Sequence, residues 1–184
     1  MNQSIQFLDE LNFRKSTLDD IDAMEKIAEE GKLLLKSRGI NQWQRGNYPS
    51  REIFIQDVAD GIGYVVTLEN EVAAVCAVTL TKEPSYESFA EGKWLTDDDA
   101  VYATIHRCAT AQRFRGRNIA PFLFSKVADF ARANGAKSIR IDTHPENQSM
   151  QHALSKSGFT LCGLLYLVDG DEVGDPRYGY EILV

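Results

Sequence analysis

The second half of the chain alternates β-rich segments with amphipathic helical segments, and this order constrains the fold more than any other feature. Apolar residues recur at helical spacing from Ile119 to Ala131, and on both sides the pattern changes to that of a strand. A helix that connects two strands in this way places them parallel in one sheet, through a right-handed crossover. The sequence therefore predicts a mixed α/β fold. Its elements lie over 101–110, 117–133, 139–142, 145–157, 160–168 and 178–184.

The first half of the chain adds helices and antiparallel strands to this prediction. Thr17 and Asp20 resemble a capping box ahead of an amphipathic stripe, which Gly39 ends. We expect one domain over 1–184, with a mixed central sheet of about six to seven strands flanked by about four helices. The elements predicted in this half are strands over 11–15, 63–68 and 72–80 and helices that begin near Thr17 and Ser50.

The composition excludes several classes of protein. With 43% hydrophobic and 26% charged residues in 184, the chain is typical of a globular protein and not of a disordered one. Its formal net charge of -7 argues against general nucleic-acid binding, because that requires cations to neutralise phosphates. Basic residues are nevertheless concentrated in 111–140, where seven of them accompany a single acid.

The sequence shows no sign of a secretory or membrane destination. The first residues lack the basic and apolar regions of a signal peptide, and no apolar run approaches the ~18 residues of a membrane span. Cys76, Cys108 and Cys162 are far apart, form no CxxC pair and indicate reduced thiols. We therefore expect a cytoplasmic protein with no membrane partner and no metal.

The stretch Arg115-Gly116-Arg117-Asn118-Ile119-Ala120 lies where a predicted strand passes into a helix. A helix N-terminus leaves backbone N–H groups unpaired and carries partial positive charge, so it favours a phosphate group. Two arginines add charge, and a glycine tolerates backbone geometry that other residues resist. The stretch matches neither GxxxxGK followed by Ser or Thr nor GxGxxG, which excludes those two nucleotide-binding motifs. A solvated basic turn is the alternative.

A second motif places this stretch in a wider context. The order of elements resembles that of the GNAT superfamily of N-acetyltransferases. In that superfamily the pyrophosphate of acetyl-CoA is bound by a motif of six residues, (Q/R)-x-x-G-x-(G/A). Arg115 and Ala120 match that pattern, and Asn118 stands where the family prefers glycine. The stretch from Asn147 to Phe159 resembles the family's second signature in Asn147, Met150, Lys156, Gly158 and Phe159.

The resemblance implies a fold and a cofactor site. In this superfamily the strand before the pyrophosphate loop splays from its neighbour, so that its free backbone groups pair with the pantetheine arm of acetyl-CoA. One such N–H polarises the thioester carbonyl. The residues that the resemblance assigns to acetyl-CoA binding are Cys108, Ala109, Thr110, Arg115, Gly116, Arg117, Asn118, Ile119, Ala120 and Asn147.

Catalytic groups are less plainly marked. Many members of the superfamily use a tyrosine on the last helix as general acid, and here Leu154 stands at its place. His106 lies on the strand predicted to splay, and the ordinary pKa of histidine suits a general base near neutrality. A structural histidine in the core is the alternative. Cys108 and Cys162 lack an evident activating partner.

The acceptor is indicated only by charge and aromatic content. Residues 86–99 hold five acids and one lysine with three aromatic side chains, and such a rim attracts a cationic amine. A solvated loop is the alternative. The side chains we expect at the acceptor are Trp43, Tyr86, Trp94 and His144, although Trp43 equally suits the core and His144 equally suits the entry to a helix.

These observations predict an acetyl-CoA-dependent N-acetyltransferase that transfers the acetyl group directly to a primary amine of a small molecule or peptide. A non-catalytic acyl-CoA-binding regulatory protein of the same fold is the alternative, which Leu154 brings into consideration. A transferase of another acyl group is a third reading. A homodimer is a possible assembly by analogy with the superfamily.

Overall fold

One mixed β-sheet organises the chain in the computed structural model, which describes residues 11–184. In those residues the sheet has eight strands, one more than the upper end of the prediction. The strands are Asn12–Lys15, Gly63–Leu68, Glu71–Thr79, Glu91–Gly92, Tyr102–Thr110, Ser138–Thr143, Thr160–Tyr166 and Pro176–Leu183, numbered β1 to β8. Their order in the sheet is β1-β2-β3-β5-β6-β8-β7-β4. The first residues, in which the sequence showed no signal peptide, and the start of the predicted domain lie outside the described residues.

Four α-helices flank the sheet in the described residues, as the sequence predicted. Apolar faces of the helices pack on the sheet in one core, which includes Met24, Phe54, Leu123 and Leu154. None of the helices in residues 11–184 is long and apolar enough to cross a bilayer. The helices are Ile21–Ser37 (α1), Arg51–Ala59 (α2), Ile119–Ala133 (α3) and Gln148–Lys156 (α4).

Two helices begin later than their apolar periodicity predicted. Helix α3 begins at Ile119 and not at residue 117, because Asn118 before it has the left-handed φ of 59°. Helix α4 begins at Gln148 and not at residue 145, because the Asn147 side chain caps it by accepting from the Met150 N–H at 3.3 Å. In both cases a local backbone conformation decides the boundary.

The central strands β5 and β6 diverge, as the predicted splay requires. They pair in parallel only where Tyr102–Thr104 face Ser138–Arg140. Beyond this point β5 continues against β3, and β6 continues against β8. Opposite Cys76 of β3, β5 contains a bulge in which Arg107 has a φ of 52°. The divergence opens the sheet at its centre, and the bulge redirects the side chains of β5 there.

The segment 81–99, in which the sequence predicted neither a helix nor a strand, is ordered. It contains a 3-10 turn at Pro84–Tyr86 and strand β4, and its aromatic residues pack with Tyr102 and Leu165 in a second small core. Glu181 of β8 is fully buried and accepts hydrogen bonds from the backbone of Leu95 and Thr96. Buried polar and aromatic contacts therefore anchor the segment.

Candidate active site

Two cavities meet at the bulge of β5. One, of about 570 Å³, is a groove between α1, the start of α3 and α4, and the other, of about 460 Å³, lies on the side of the turn at Pro84–Tyr86. Four residues line both cavities: Gln42, Trp43, Cys108 and Met150. A ligand in the groove and a ligand in the second cavity would therefore meet beside Cys108.

The start of α3 forms one end of the groove. Gly116 has a φ of +79°, and a Cβ built on it would have no atom within 4 Å, so the backbone is open to close approach. Asn118 adopts the left-handed conformation, which asparagine tolerates better than most residues. The amides of Ile119 and Ala120 begin the helix and so have no intrahelical acceptor. This end of the groove is suited to an anion.

Basic side chains surround that anion-binding end. Arg115 lines the groove and donates from Nε to the Thr110 carbonyl at 3.3 Å. Arg38 of the segment after α1 and Lys156 of α4 also line it, and sequence reasoning assigned neither residue to binding. Arg117 does not line the groove; its guanidinium lies 5.7 Å from the centre of the Phe114 ring. The charge at the groove thus comes from three separate elements.

The splayed part of β5 forms the floor of the groove. Cys108, Ala109 and Thr110 all line it. The edge of β5 at these residues does not pair with β6, so its backbone groups face the opening between the strands. Burial raises the pKa of the Cys108 thiol to about 12, so this cysteine is a thiol and a poor nucleophile at neutral pH.

Asn147 and Gln42 hold the opposite wall. The Asn147 side chain donates to Gln42 Oε1 at 3.2 Å, and both residues line the groove. Gln42 Oε1 also accepts from the His144 N–H at 3.3 Å. Leu154 is fully buried in the core, so the position that resembles the superfamily's tyrosine does not reach the site. The interaction through Gln42 had no signal in the sequence.

His106 lies in the second cavity together with Glu83, a residue that sequence reasoning missed. His106 Nε2 is 3.7 Å from Glu83 Oε2 and 3.4 Å from Thr79 Oγ1. Burial, with a smaller effect of the Arg107 cation, lowers the pKa of His106 to about 4. Its imidazole is therefore neutral near pH 7 and is a weaker base than free histidine, while its role as general base stays a prediction.

Trp43 is the one predicted acceptor residue that lines the second cavity. It has a φ of 62°, and its backbone N–H donates to the Glu172 carboxylate. Arg177 Nη2 in turn donates to Glu172 at 2.6 Å, and its Nε lies 3.4 Å from Asp142 Oδ1. Arg177 therefore joins the backbone of Trp43 to the end of β6 on the wall of the cavity.

The other three predicted acceptor residues lie outside both cavities. Tyr86 is buried and its hydroxyl donates to Asp142 at 2.7 Å, while Trp94 donates from Nε1 to the Tyr86 carbonyl at 2.8 Å. His144 is also buried, and its Nδ1 accepts from the Glu146 N–H at 3.2 Å. These side chains pack within the walls and line neither cavity, so a contact with an acceptor stays a prediction that the structure does not support for them.

Comparison with known proteins decides the family. The model of the acetyltransferase (GNAT) family matches residues 22–159. The chain belongs to the GNAT family. A GNAT acetyltransferase from Streptococcus agalactiae is 30% identical, with a TM-score of 0.83 and 95% of each chain covered. A search of curated proteins found no match.

Two further solved structures share the GNAT fold. A protein described as a possible acetyltransferase, from Staphylococcus aureus, is 24% identical with a TM-score of 0.67, over 93% of this chain and 97% of its own. Mycobacterium smegmatis RimJ, solved in complex with CoA-disulfide, is 17% identical with a TM-score of 0.65, over 95% of this chain and 82% of its own. At these identities the likeness concerns the fold.

The groove fits the cofactor that membership of the GNAT family implies. Its anion-binding end has an open glycine backbone, a helix start and the cations of Arg38, Arg115 and Lys156. Its floor is the unpaired edge of β5, which suits the amide groups of a pantetheine arm. In residues 11–184, no group of three or more His, Cys, Asp or Glu side chains is arranged to hold a metal ion.

Proposed function

We propose that this GNAT protein transfers an acetyl group from acetyl-CoA directly to a primary amine of a small molecule or peptide. The meeting of two cavities at Cys108 supports the proposal more than any other observation, because direct transfer needs both substrates bound at once. Acetyl-CoA, when bound, supplies the acetyl group as a thioester.

In this proposal the groove holds the cofactor through its backbone and its cations. The start of α3, with Arg38, Arg115 and Lys156, binds the pyrophosphate, and the edge of β5 at Cys108, Ala109 and Thr110 binds the pantetheine arm. A backbone N–H of this edge polarises the acyl carbonyl, as an oxyanion hole does. The hydrogen bond from Asn147 to Gln42 joins the start of α4 to the segment after α1 on the wall beside the arm.

The second cavity receives the acceptor as a cation. Five carboxylates and three cationic side chains line it. Arg107 is paired with Asp57, and Arg177 is paired with Glu172, which is one of the five, so four carboxylates and Lys82 remain. The remaining acidic field attracts an ammonium group to the cavity. The amine must then lose a proton before it can attack, since only the neutral form has a free electron pair.

An acyl-CoA-binding regulator is the second candidate, and the full burial of Leu154 is the observation that favours it. A panel of primary amines, small molecules and peptides, with acetyl-CoA distinguishes the two by release of the CoA thiol and by mass spectrometry of the amines. The proposal expects thiol release that depends on an amine and equals the amide formed. Tight binding of acetyl-CoA with no amide from any amine would instead support the regulator. Other acyl-CoA donors in the same assay give the acyl preference.

A further inference from the structure

Glu83 presents one carboxylate oxygen to the second cavity from a fixed position. It lies between the end of β3 and the 3-10 turn at Pro84–Tyr86. Its backbone N–H donates to the Tyr102 hydroxyl at 2.9 Å, and its Oε1 accepts from the Ser85 N–H at 3.4 Å. The other carboxylate oxygen, Oε2, faces His106 and lies 3.7 Å from the imidazole Nε2. Contacts on both the backbone and the side chain therefore orient this oxygen.

The surroundings of Glu83 favour uptake of a proton. Burial raises the pKa of its carboxyl, and Asp169 after β7 and Asp142 of β6 raise it further. The Ser85 N–H and, more weakly, Arg107 act in the opposite direction. The other groups of the cavity near it are Lys82, whose Nζ donates to the Asp98 carbonyl at 3.2 Å, and the neutral His106.

His106 is less suited to the same task. Its imidazole is confined between Thr79 of β3 and Glu83, and the neighbouring Arg107 cation disfavours a second positive charge. A neutral imidazole beside a carboxylate makes a polar contact and leaves the carboxylate negative. His106 can therefore orient Glu83, whereas Glu83 carries the charge that attracts an ammonium group.

We propose that Glu83 is the general base of the reaction and that His106 is a positioning residue for it. The inference rests on the proposed function. An ammonium proton of the acceptor moves to a Glu83 carboxylate oxygen, which leaves a neutral amine and a carboxylic acid. The N–C bond then forms and the C–S bond breaks, the second amine proton passes to the sulfur that leaves, and Glu83 returns its proton to water.

The Glu83→Gln variant tests this inference, because glutamine keeps an oxygen acceptor for the Ser85 N–H and removes only the base. We expect kcat/KM for an alkylamine, which is ammonium at neutral pH, to fall about 100-fold or more. With hydroxylamine, which is largely unprotonated at neutral pH, the loss should be several-fold smaller. Glu69→Gln, in an exposed residue of the turn between β2 and β3 that lines neither cavity, is the matched control and should keep wild-type rates.

The pH profile adds a readout that a structural role would not change. In the wild type, kcat/KM should fall as the pH drops through the raised pKa of Glu83, and Glu83→Gln should lose this limb. His106→Asn should lower the rate and shift the limb without removing it. Equal losses with alkylamine and hydroxylamine, or a retained acidic limb in Glu83→Gln, would overturn the inference alone. Absence of transfer by the wild type to any amine would overturn the proposed function and this inference with it.

Discussion

The Arg107 guanidinium pairs with the Asp57 carboxylate through two hydrogen bonds, from Nη2 at 2.7 Å and from Nε at 2.9 Å. Both side chains are almost fully buried, and the pair joins α2 to the bulge of β5. The guanidinium also donates to the Tyr48 hydroxyl at 3.2 Å. The bulge turns the Arg107 side chain toward α2. The next residue, Cys108, lies where the two cavities meet.

Replacement of Arg107 by alanine should destabilise the protein by about 3–5 kcal/mol, because it leaves the Asp57 carboxylate buried without its cation. Urea unfolding of the purified variant measures this loss. Arg107→Ala combined with Asp57→Ala should cost less than the sum of the two single changes. An Arg107→Ala variant with wild-type stability would show that the pair does not hold the bulge.

Arg115→Ala should weaken acetyl-CoA binding about tenfold or more, since one charge-assisted hydrogen bond contributes about 1.5–3 kcal/mol. Arg117→Ala is the matched control, because Arg117 is two residues away and does not line the groove. Isothermal titration calorimetry gives both affinities. A larger loss in Arg117→Ala than in Arg115→Ala would contradict the arrangement of the groove described above.

Substitution of Trp43 should change the KM for the acceptor, whereas substitution of Tyr86 should change only the stability of the protein. Trp43→Ala removes a wall of the second cavity and should raise the KM for the acceptor. Tyr86→Phe removes the hydrogen bond to Asp142 and should lower the free energy of unfolding by about 1 kcal/mol while it leaves that KM unchanged. Steady-state kinetics and urea unfolding of both variants test the contrast, which fails if Tyr86→Phe raises the KM as much as Trp43→Ala.

The free energy of unfolding should depend on pH in the acidic range because of the Asp20 carboxyl. It accepts from Arg14 at 2.7 Å and from the Thr17 N–H at 2.8 Å, and the hydrogen bond from Arg14 is the main cause of its lowered pKa. A lowered pKa means that the stabilisation is complete above the unfolded value of about 3.9 and is lost as the pH falls through the folded value.

Asp20→Asn should accordingly be less stable than the wild type near pH 7, by about 1 kcal/mol. The difference should shrink as the pH falls below about 3.9, because the unfolded state then takes up a proton more readily than the folded carboxyl does. Thermal unfolding of both proteins across this range measures it. A difference that is constant with pH would show that Asp20 acts without its charge.

Much of the fold followed from patterns within single elements. The periodicity from Ile119 to Ala131 identified α3. The strands predicted over 63–68 and 72–80 form the β2–β3 hairpin, where Glu69 and Asn70 adopt a positive φ that suits a tight turn. Asn118, which departs from the family's glycine, takes the left-handed conformation that glycine would take. The backbone conformation of this loop was therefore predictable from sequence, whereas its binding of an anion stays a prediction.

The acceptor side was less predictable because it depends on contacts between distant elements. Glu83 and His106 are 23 positions apart, and Gln42 meets Asn147 only after α1 and α4 have packed on the sheet. Tyr86 and Trp94 looked like a rim because their segment is acidic, whereas Arg140 lies 4.4 Å from the centre of the Trp94 ring and helps to bury it. Charge along the chain did not reveal which side of a loop faces inward.

Backbone hydrogen exchange with and without CoA tests whether the groove holds the cofactor, because it locates the bound cofactor without requiring turnover. We expect slower exchange in two segments, the edge of β5 at Cys108–Thr110 and the start of α3 at Gly116–Ala120. If CoA binds but leaves exchange in both segments unchanged and slows it elsewhere, the groove is not the cofactor site.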